Sequence, residues 1–210
     1  MKKYKKLVIT LSAILCVSSI SLIPIKAQAV ATFNFNSDVV GTSTSFTDSN
    51  NGISATFTSS GDPGGFQVST SFFQSLTGNI LYDPGPAELS NLTLTVQFNV
   101  PITSAELDYA LNTSNTAIPL TVQAFSGASL IGSASSSGSI PSGFSFPEGT
   151  LDFTSATTFD RIVLSTSAPD FAVDNITVNQ STATPEPATM VLFGTGLVGL
   201  AGLARRRKNA

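Results

Sequence analysis

The chain has 210 residues, one cysteine (Cys16), no histidine and a formal charge of −3. Without histidine there is no Ser-His-Asp triad, no imidazole zinc ligand and no side chain poised to exchange a proton near neutrality. Residues 30–180 hold twelve acidic residues against Arg161 alone, a formal −11, and so acidic a surface repels phosphate backbones and excludes nucleic acid as a partner.

The first segment reads as an export signal. Lys2, Lys3, Lys5 and Lys6 precede an apolar run from Leu7 to Ile23, and Ala27-Gln28-Ala29 is a small-x-small cleavage site. Residues 1–29 are thus expected to form a signal helix removed by signal peptidase between Ala29 and Val30. A lipoprotein reading would use Cys16 as the acylated residue, but Leu15 stands where such signals need a small residue. Removal of Cys16 leaves the exported part without a thiol, hence without disulfides or cysteine metal sites.

Residues 30–180 are long enough for one domain, and their period is two. ATFNFN opens the series. SFTDSNNGISATF follows as a hairpin whose Asn51-Gly52 pair supplies the positive-φ turn. GFQVST is the next strand. In LTLTVQFNV, Leu92, Leu94, Val96, Phe98 and Val100 alternate with polar residues. SAELDYAL repeats the pattern with Ala105, Leu107, Tyr109 and Leu111, and Pro101 separates the two as a strand end or corner. LTVQAF, LDFT, DRIVLS and FAVDNITV complete the set. Between LTVQAF and LDFT, residues 133–143 read as a flexible connection or edge excursion.

Short strands punctuated by Gly, Pro, Asn and Ser predict an all-β fold, an antiparallel β-sandwich of jelly-roll type. Fourteen of the fifteen phenylalanines fall in this domain and are expected to fill its core.

The tail has three parts. Residues 181–187 form a polar linker ending in Pro185-Glu186-Pro187, an extended tripeptide because proline fixes φ and removes backbone donors. Residues 188–204 are uncharged and apolar, about 26 Å as a helix against a hydrocarbon core of about 30 Å. They predict a marginal transmembrane helix. Arg205, Arg206, Arg207 and Lys208 lie in the closing segment 205–210 and hold it on the cytoplasmic side. Gly194, Gly196 and Gly199 fit G-x-G-x-x-G, yet the chain ends before any acidic residue of a dinucleotide unit, so they read as small residues of a membrane helix.

The stretch TPEPATMVLFGTGLVGLAGLARRRKNA resembles the PEP-CTERM sorting signal of exopolysaccharide-producing bacteria, with Pro185-Glu186-Pro187 as the defining tripeptide. The resemblance implies recognition by exosortase, tail removal, a transient membrane intermediate and delivery to the cell surface or matrix. More loosely, TTFDRIVLSTSAPDFAVDNITV looks like the closing strands of PEP-CTERM ectodomains related to carbohydrate-binding jelly rolls. That likeness implies a structural calcium ion on Asp174, with Asp38 or Asp48 if the first and last strands pair. No D-x-D-x-D-G loop is present, and Asp174 bonding to backbone or solvent is the competing reading.

Enzyme chemistry is poorly provisioned. Glu106 and Asp108 share a strand face and have the residue types for glycoside hydrolysis, but Ala105, Leu107 and Tyr109 claim the core, which turns the pair toward solvent. For glycan contact, Tyr82 is the leading aromatic, with Asp83 and Glu88 beside it. Phe72 and Phe73 are adjacent and cannot share one strand face. The expectation is a non-enzymatic structural or adhesive protein of an exopolysaccharide matrix. A polysaccharide-binding module is the alternative, a carboxylate glycosidase a distant one, and calcium the sole cofactor considered.

Overall fold

The computed structural model describes residues 29–61, 65–83 and 92–181, together with Gly196 in a helical conformation. Ala27 and the rest of the signal, Glu88, Pro185-Glu186-Pro187, the remainder of 188–204 and Arg205 to Lys208 lie outside the described residues.

Ten strands follow in chain order: β1 (Val30–Phe33), β2 (Phe46–Asn50), β3 (Ile53–Ser60), β4 (Gln67–Thr70), β5 (Asn79–Tyr82), β6 (Thr93–Leu111), β7 (Leu120–Ser126), β8 (Ser129–Ser136), β9 (Glu148–Thr166) and β10 (Phe171–Gln180). Every pairing is antiparallel, and the backbone links them in the order β4-β5-β10-β6-β9-β7-β8, with β1 on β10 and β3 joining β2 to β6.

The long strands explain how one sheet becomes two facing layers. Residues 93–97 of β6 lie between β3 and β9, whereas 102–111 lie between β10 and β9. The register shifts between Gln97 and Ile102, and again before Ser104, around Pro101, which is exposed and has no N–H to give. On β9 the partners jump from Thr154 to Phe159, so residues 155–158 bulge out at the same corner. Strands that bend at bulges pass from one layer to the other without losing their shared ladder. The two stretches separated by Pro101 are thus one strand, as are LDFT and DRIVLS. The two sheets expected of a sandwich are here one folded sheet.

Alternation then sets the core. Ile53, Ala55, Phe57, Leu94, Val96, Phe98, Leu120, Val122, Ile162 and Leu164 point inward from one half, and Phe33, Ala105, Leu107, Tyr109, Leu151, Val173, Ile176 and Val178 from the other, in a single cluster. Phe33 of β1 meets Phe57 edge-on at 6.1 Å and Phe98 at 6.5 Å, which closes the sandwich across its two layers. Tyr109 is buried, and its hydroxyl donates to Ser136 O at 2.7 Å.

The Asn51-Gly52 turn forms as expected, with φ of 49° and 79°. Two strands escape the period-two reading. β5 has four residues, and β8, whose second half, 133–136, falls in the stretch 133–143 that reads as a flexible connection or edge excursion, pairs with β7 as the last strand of the sheet. Phenylalanine also leaves the core: Phe72 and Phe144 are exposed. Gln28–Ser181 forms a compact unit of its own.

Candidate functional site

Residues 71–78, SFFQSLTG, form a strap across the outer face of the second half. Ser71 N donates to Gly78 O at 2.8 Å and Ser71 Oγ donates to Leu76 O at 2.5 Å, closing the strap on itself. Phe73, Leu76 and Ile80 of this region pack on Ala110 and Ala172, with Tyr82 and Phe146 against them, as a second apolar cluster outside the main core. The small side chains of Ala110 and Ala172 leave room on the sheet for these rings.

Buried carboxylates hold the strap down. Glu148 Oε1 accepts from Gln74 N at 2.9 Å and Oε2 from Ser75 N at 2.6 Å. Such charge-assisted bonds account for a carboxylate being almost wholly buried with no cation beside it among the described residues. Asp174 is fully buried, with Oδ2 accepting from Thr77 N at 3.4 Å and Oδ1 from Asn175 N at 2.7 Å. Its direction follows from the backbone: Val173 faces the core, so Asp174 faces the strap. Asn175 then adopts a φ of 50°, and the register shift before Thr177 restores Ile176 to the core.

Asp174 also stands directly opposite Asp108 of β6. Burial pushes its carboxyl up to about 6, the N–H groups of Asn175 and Thr77 pull the other way, and the charge of Asp108 adds to the rise. Asn175 Nδ2 bridges the pair by donating to Asp108 Oδ2 at 3.0 Å, and Thr150 Oγ1 donates to Asp108 Oδ1 at 2.9 Å.

Tyr82, the last residue of β5, is half-buried. Its ring stands edge-on to Phe72 at 5.5 Å and to Phe73 at 6.3 Å, and Phe73 touches Phe146 at 6.0 Å. Phe72 is 52% exposed and Phe73 only 8%, so one ring of the adjacent pair anchors the strap and the other meets solvent. Burial raises the Tyr82 phenol above its ordinary value, and the charges of Asp170 and Asp83 raise it further. Asp83 and Asp170 are themselves buried, and Asn112 Nδ2 donates to Asp170 Oδ2 at 2.7 Å. Asp83 is therefore buried beside Tyr82 and not open to a glycan, and the accessible ring there is Phe72. The sequence reading missed Glu148, Asp170 and Phe146. No local signal marks Glu148, because the amides it binds lie 74 and 73 residues upstream.

Asp174, Asp38 and Asp48 are the residues considered for calcium. β1 and β10 do pair, but Asp174 is bound to the strap and to Asn175. Asp38 lies in the turn after β1, where burial and then the charge of Asp48 raise its carboxyl above the ordinary range. Among the described residues no three acidic side chains gather closely enough to hold a metal ion. Any cation beside Asp38 and Asp48 would take its remaining oxygen ligands from backbone and water. Glu106 is exposed and Asp108 half-buried on the outer face, with Ala105, Leu107 and Tyr109 in the core, as alternation predicts.

A second outer surface is polar. Ser60, Thr93, Ser165, Thr121 and Ser135 stand in one row across β3, β6, β9, β7 and β8, and Thr56, Gln97, Arg161 and Phe125 in another. Arg161 stacks on Phe125 at 4.6 Å and donates to Gly127 O at 3.0 Å, while its Nε is buried without a hydrogen-bond partner among the described residues. Thr93, Pro119, Thr121 and Ser165 to Ser167 line a cleft of about 350 Å3 on this face.

No curated protein matches the chain in sequence. Solved structures of similar course include the K2 cleaved adhesin domain of Lys-gingipain, at 14% identity over 71% of this chain and 99% of that one, with a TM-score of 0.46. The K1 adhesin domain of the same protein from Porphyromonas gingivalis W83 follows at 9%, 73%, 99% and 0.44. A family 29 carbohydrate-binding module from Piromyces equi gives 12%, 78%, 98% and 0.40. These likenesses are loose, and the fold described above rests on this chain's own strand pairing. The tail is more definite: residues 183–208 match the PEP-CTERM protein-sorting motif, so the chain carries the signal of an exported protein that exosortase processes for the cell surface.

Proposed function

We propose that this is an exosortase-sorted surface or matrix protein, held briefly in the inner membrane by residues 188–204 after signal peptidase has acted at Ala29, and then retained as an adhesive component among exopolysaccharides. The observation that carries this reading is the sorting motif at 183–208, whose Pro185-Glu186-Pro187 precedes an apolar run and four cations. Replacing Pro185, Glu186 and Pro187 by alanine in the native host is expected to leave the tail uncleaved and the protein in the inner membrane. Intact mass and fractionation read both. Tail loss in the variant, or retention of Arg205 to Ala210 in the parent, refutes the sorting reading.

For the ectodomain, a structural, non-catalytic role is supported by the absence of histidine and by the outward, open position of Glu106. A polysaccharide-binding activity is the second reading, and Phe72 favours it. An exposed ring braced by Tyr82 on a strap fixed by two carboxylates offers a pre-set stacking surface for the apolar face of a sugar. We read the folded sheet as a jelly-roll variant. Phe72→Ala is expected to weaken retention on matrix polysaccharide in affinity electrophoresis by about tenfold with little change in Tm, and Tyr82→Ala to weaken it similarly while lowering Tm, because its half-buried ring also packs on the second apolar cluster. Unchanged retention in both variants excludes this face.

A further inference from the structure

We propose that the free edge of β8 is a homotypic docking edge, at which a second copy of this chain adds its own β8 in antiparallel register. The inference is independent of the glycan reading, since β8 and the β4–β5 pair lie at opposite ends of the strand order.

The fold guards its other edges. Outside β4, Gly41 N and Thr44 N donate to Val68 O and Phe66 O at 2.8 Å each, and Val68 N donates to Thr42 O at 2.8 Å, so the 41–44 segment takes up the free backbone groups. On β1, the carbonyls of Val30 and Thr32 accept from the side-chain amides of Asn51 and Asn50 at 2.7 and 3.1 Å. β2 is five residues long and carries Asp48. These are the devices by which sheet proteins block edge pairing.

β8 has none of these covers; its one irregularity is the register shift that leaves Ile131 unpaired near its start. It runs for eight residues, SLIGSASS, with no charge and no proline. Among the described residues its backbone bonds to β7 and, at Ser136 O, to the Tyr109 hydroxyl. Alternate N–H and C=O groups of an antiparallel edge point away from the sheet and can accept a further strand.

Charge selects the occupant. From Tyr109 to Pro147 the sequence contains no Asp, Glu, Lys or Arg, within a domain of formal charge −11. Two such domains repel wherever their carboxylates face one another. The β8 border is the place where they approach without that repulsion, and an antiparallel self-pair brings no like charges into register. The same uncharged stretch also carries Leu130, 55% exposed, and the exposed Ile140 and Phe144.

The test uses the full chain in its native host. Variants Ser133→Cys and Ser135→Cys on β8, with Thr58→Cys on β3 as control, are made with Cys16→Ala so that each carries one thiol, and are treated with a short bismaleimide. Dimers are expected from the two β8 positions and not from Thr58→Cys. In parallel, the full chain purified in detergent is sedimented with and without the paired changes Leu130→Lys and Ser133→Lys, both at exposed positions. The lysines are expected to raise the dimer dissociation constant at least about tenfold with the thermal midpoint unchanged. Equal cross-linking at Thr58→Cys, a dimer indifferent to the lysines, a monomer at every concentration, or capture of a different protein strand at β8 each overturns the proposal.

Discussion

Replacing Asp174 by asparagine tests the account of the strap most directly. The carboxyl is fully buried, faces Asp108 across the ladder and is raised from 3.8 to about 6. A folded-state value above the unfolded one means that its contribution to stability is complete below about pH 3.8 and is lost as pH rises through about 6. The rise from 3.8 to about 6 corresponds to about 3 kcal/mol between acid and neutral conditions. Asparagine is never charged, so it escapes this cost, but its single carbonyl oxygen keeps only one of the two N–H bonds from Asn175 and Thr77, a loss of about 1 kcal/mol. Asp174→Asn is therefore expected to stabilise the protein by about 2 kcal/mol at pH 8 and to destabilise it by about 1 kcal/mol at pH 3.5. Urea midpoints of the full chain in detergent, measured for parent and variant from pH 3.5 to 8, give the difference free of the other carboxylates. A parent-minus-variant difference flat across that range would show that Asp174 is not a buried, strained carboxylate.

Three further outcomes follow from the same geometry. Glu148→Gln keeps an acceptor for one of the Gln74 and Ser75 amides and turns an NH2 group toward the other, so stability is expected to fall by about 2–3 kcal/mol, with faster hydrogen exchange at those two amides; slow exchange there would mean that something else holds the strap. Gly78→Ala places a methyl 1.9 Å from Asn36 Oδ1 at a φ of 77°, whereas Gly52→Ala at a φ of 79° meets nothing within 4 Å, so thermal unfolding should show the first costing about 2–3 kcal/mol and the second about 1. Equal losses would place the cost in φ alone. Tyr109→Phe leaves Ser136 O without its hydroxyl donor and is expected to cost about 1 kcal/mol in urea, with no loss at all contradicting that bond.

Local sequence was sufficient wherever one face of a strand meets the core and the other meets water. The alternation of residues 92–100 and 104–111, the Asn51-Gly52 turn, and the outward direction of Glu106 all follow from a period of two, which depends only on neighbouring residues. The tail is legible for the same reason: its tripeptide, apolar run and cations are contiguous in the chain. What tertiary structure decided is everything that depends on a distant partner. Pro101 reads as a strand end or a corner, and tertiary pairing makes it a corner within one strand, because β9 stays beside β6 while β3 gives way to β10. SLIGSASS has too little apolar surface to announce a strand and becomes one only because β7 offers it a ladder. Asp174 reads as a calcium ligand or as a side chain bonded to neighbouring backbone, and only the turn of Asn175 and the arrival of residues 71–78 from elsewhere in the chain place it, buried under the strap with backbone N–H partners. A carboxylate's environment is set by what packs on it, and that packing comes from residues nearly a hundred positions away.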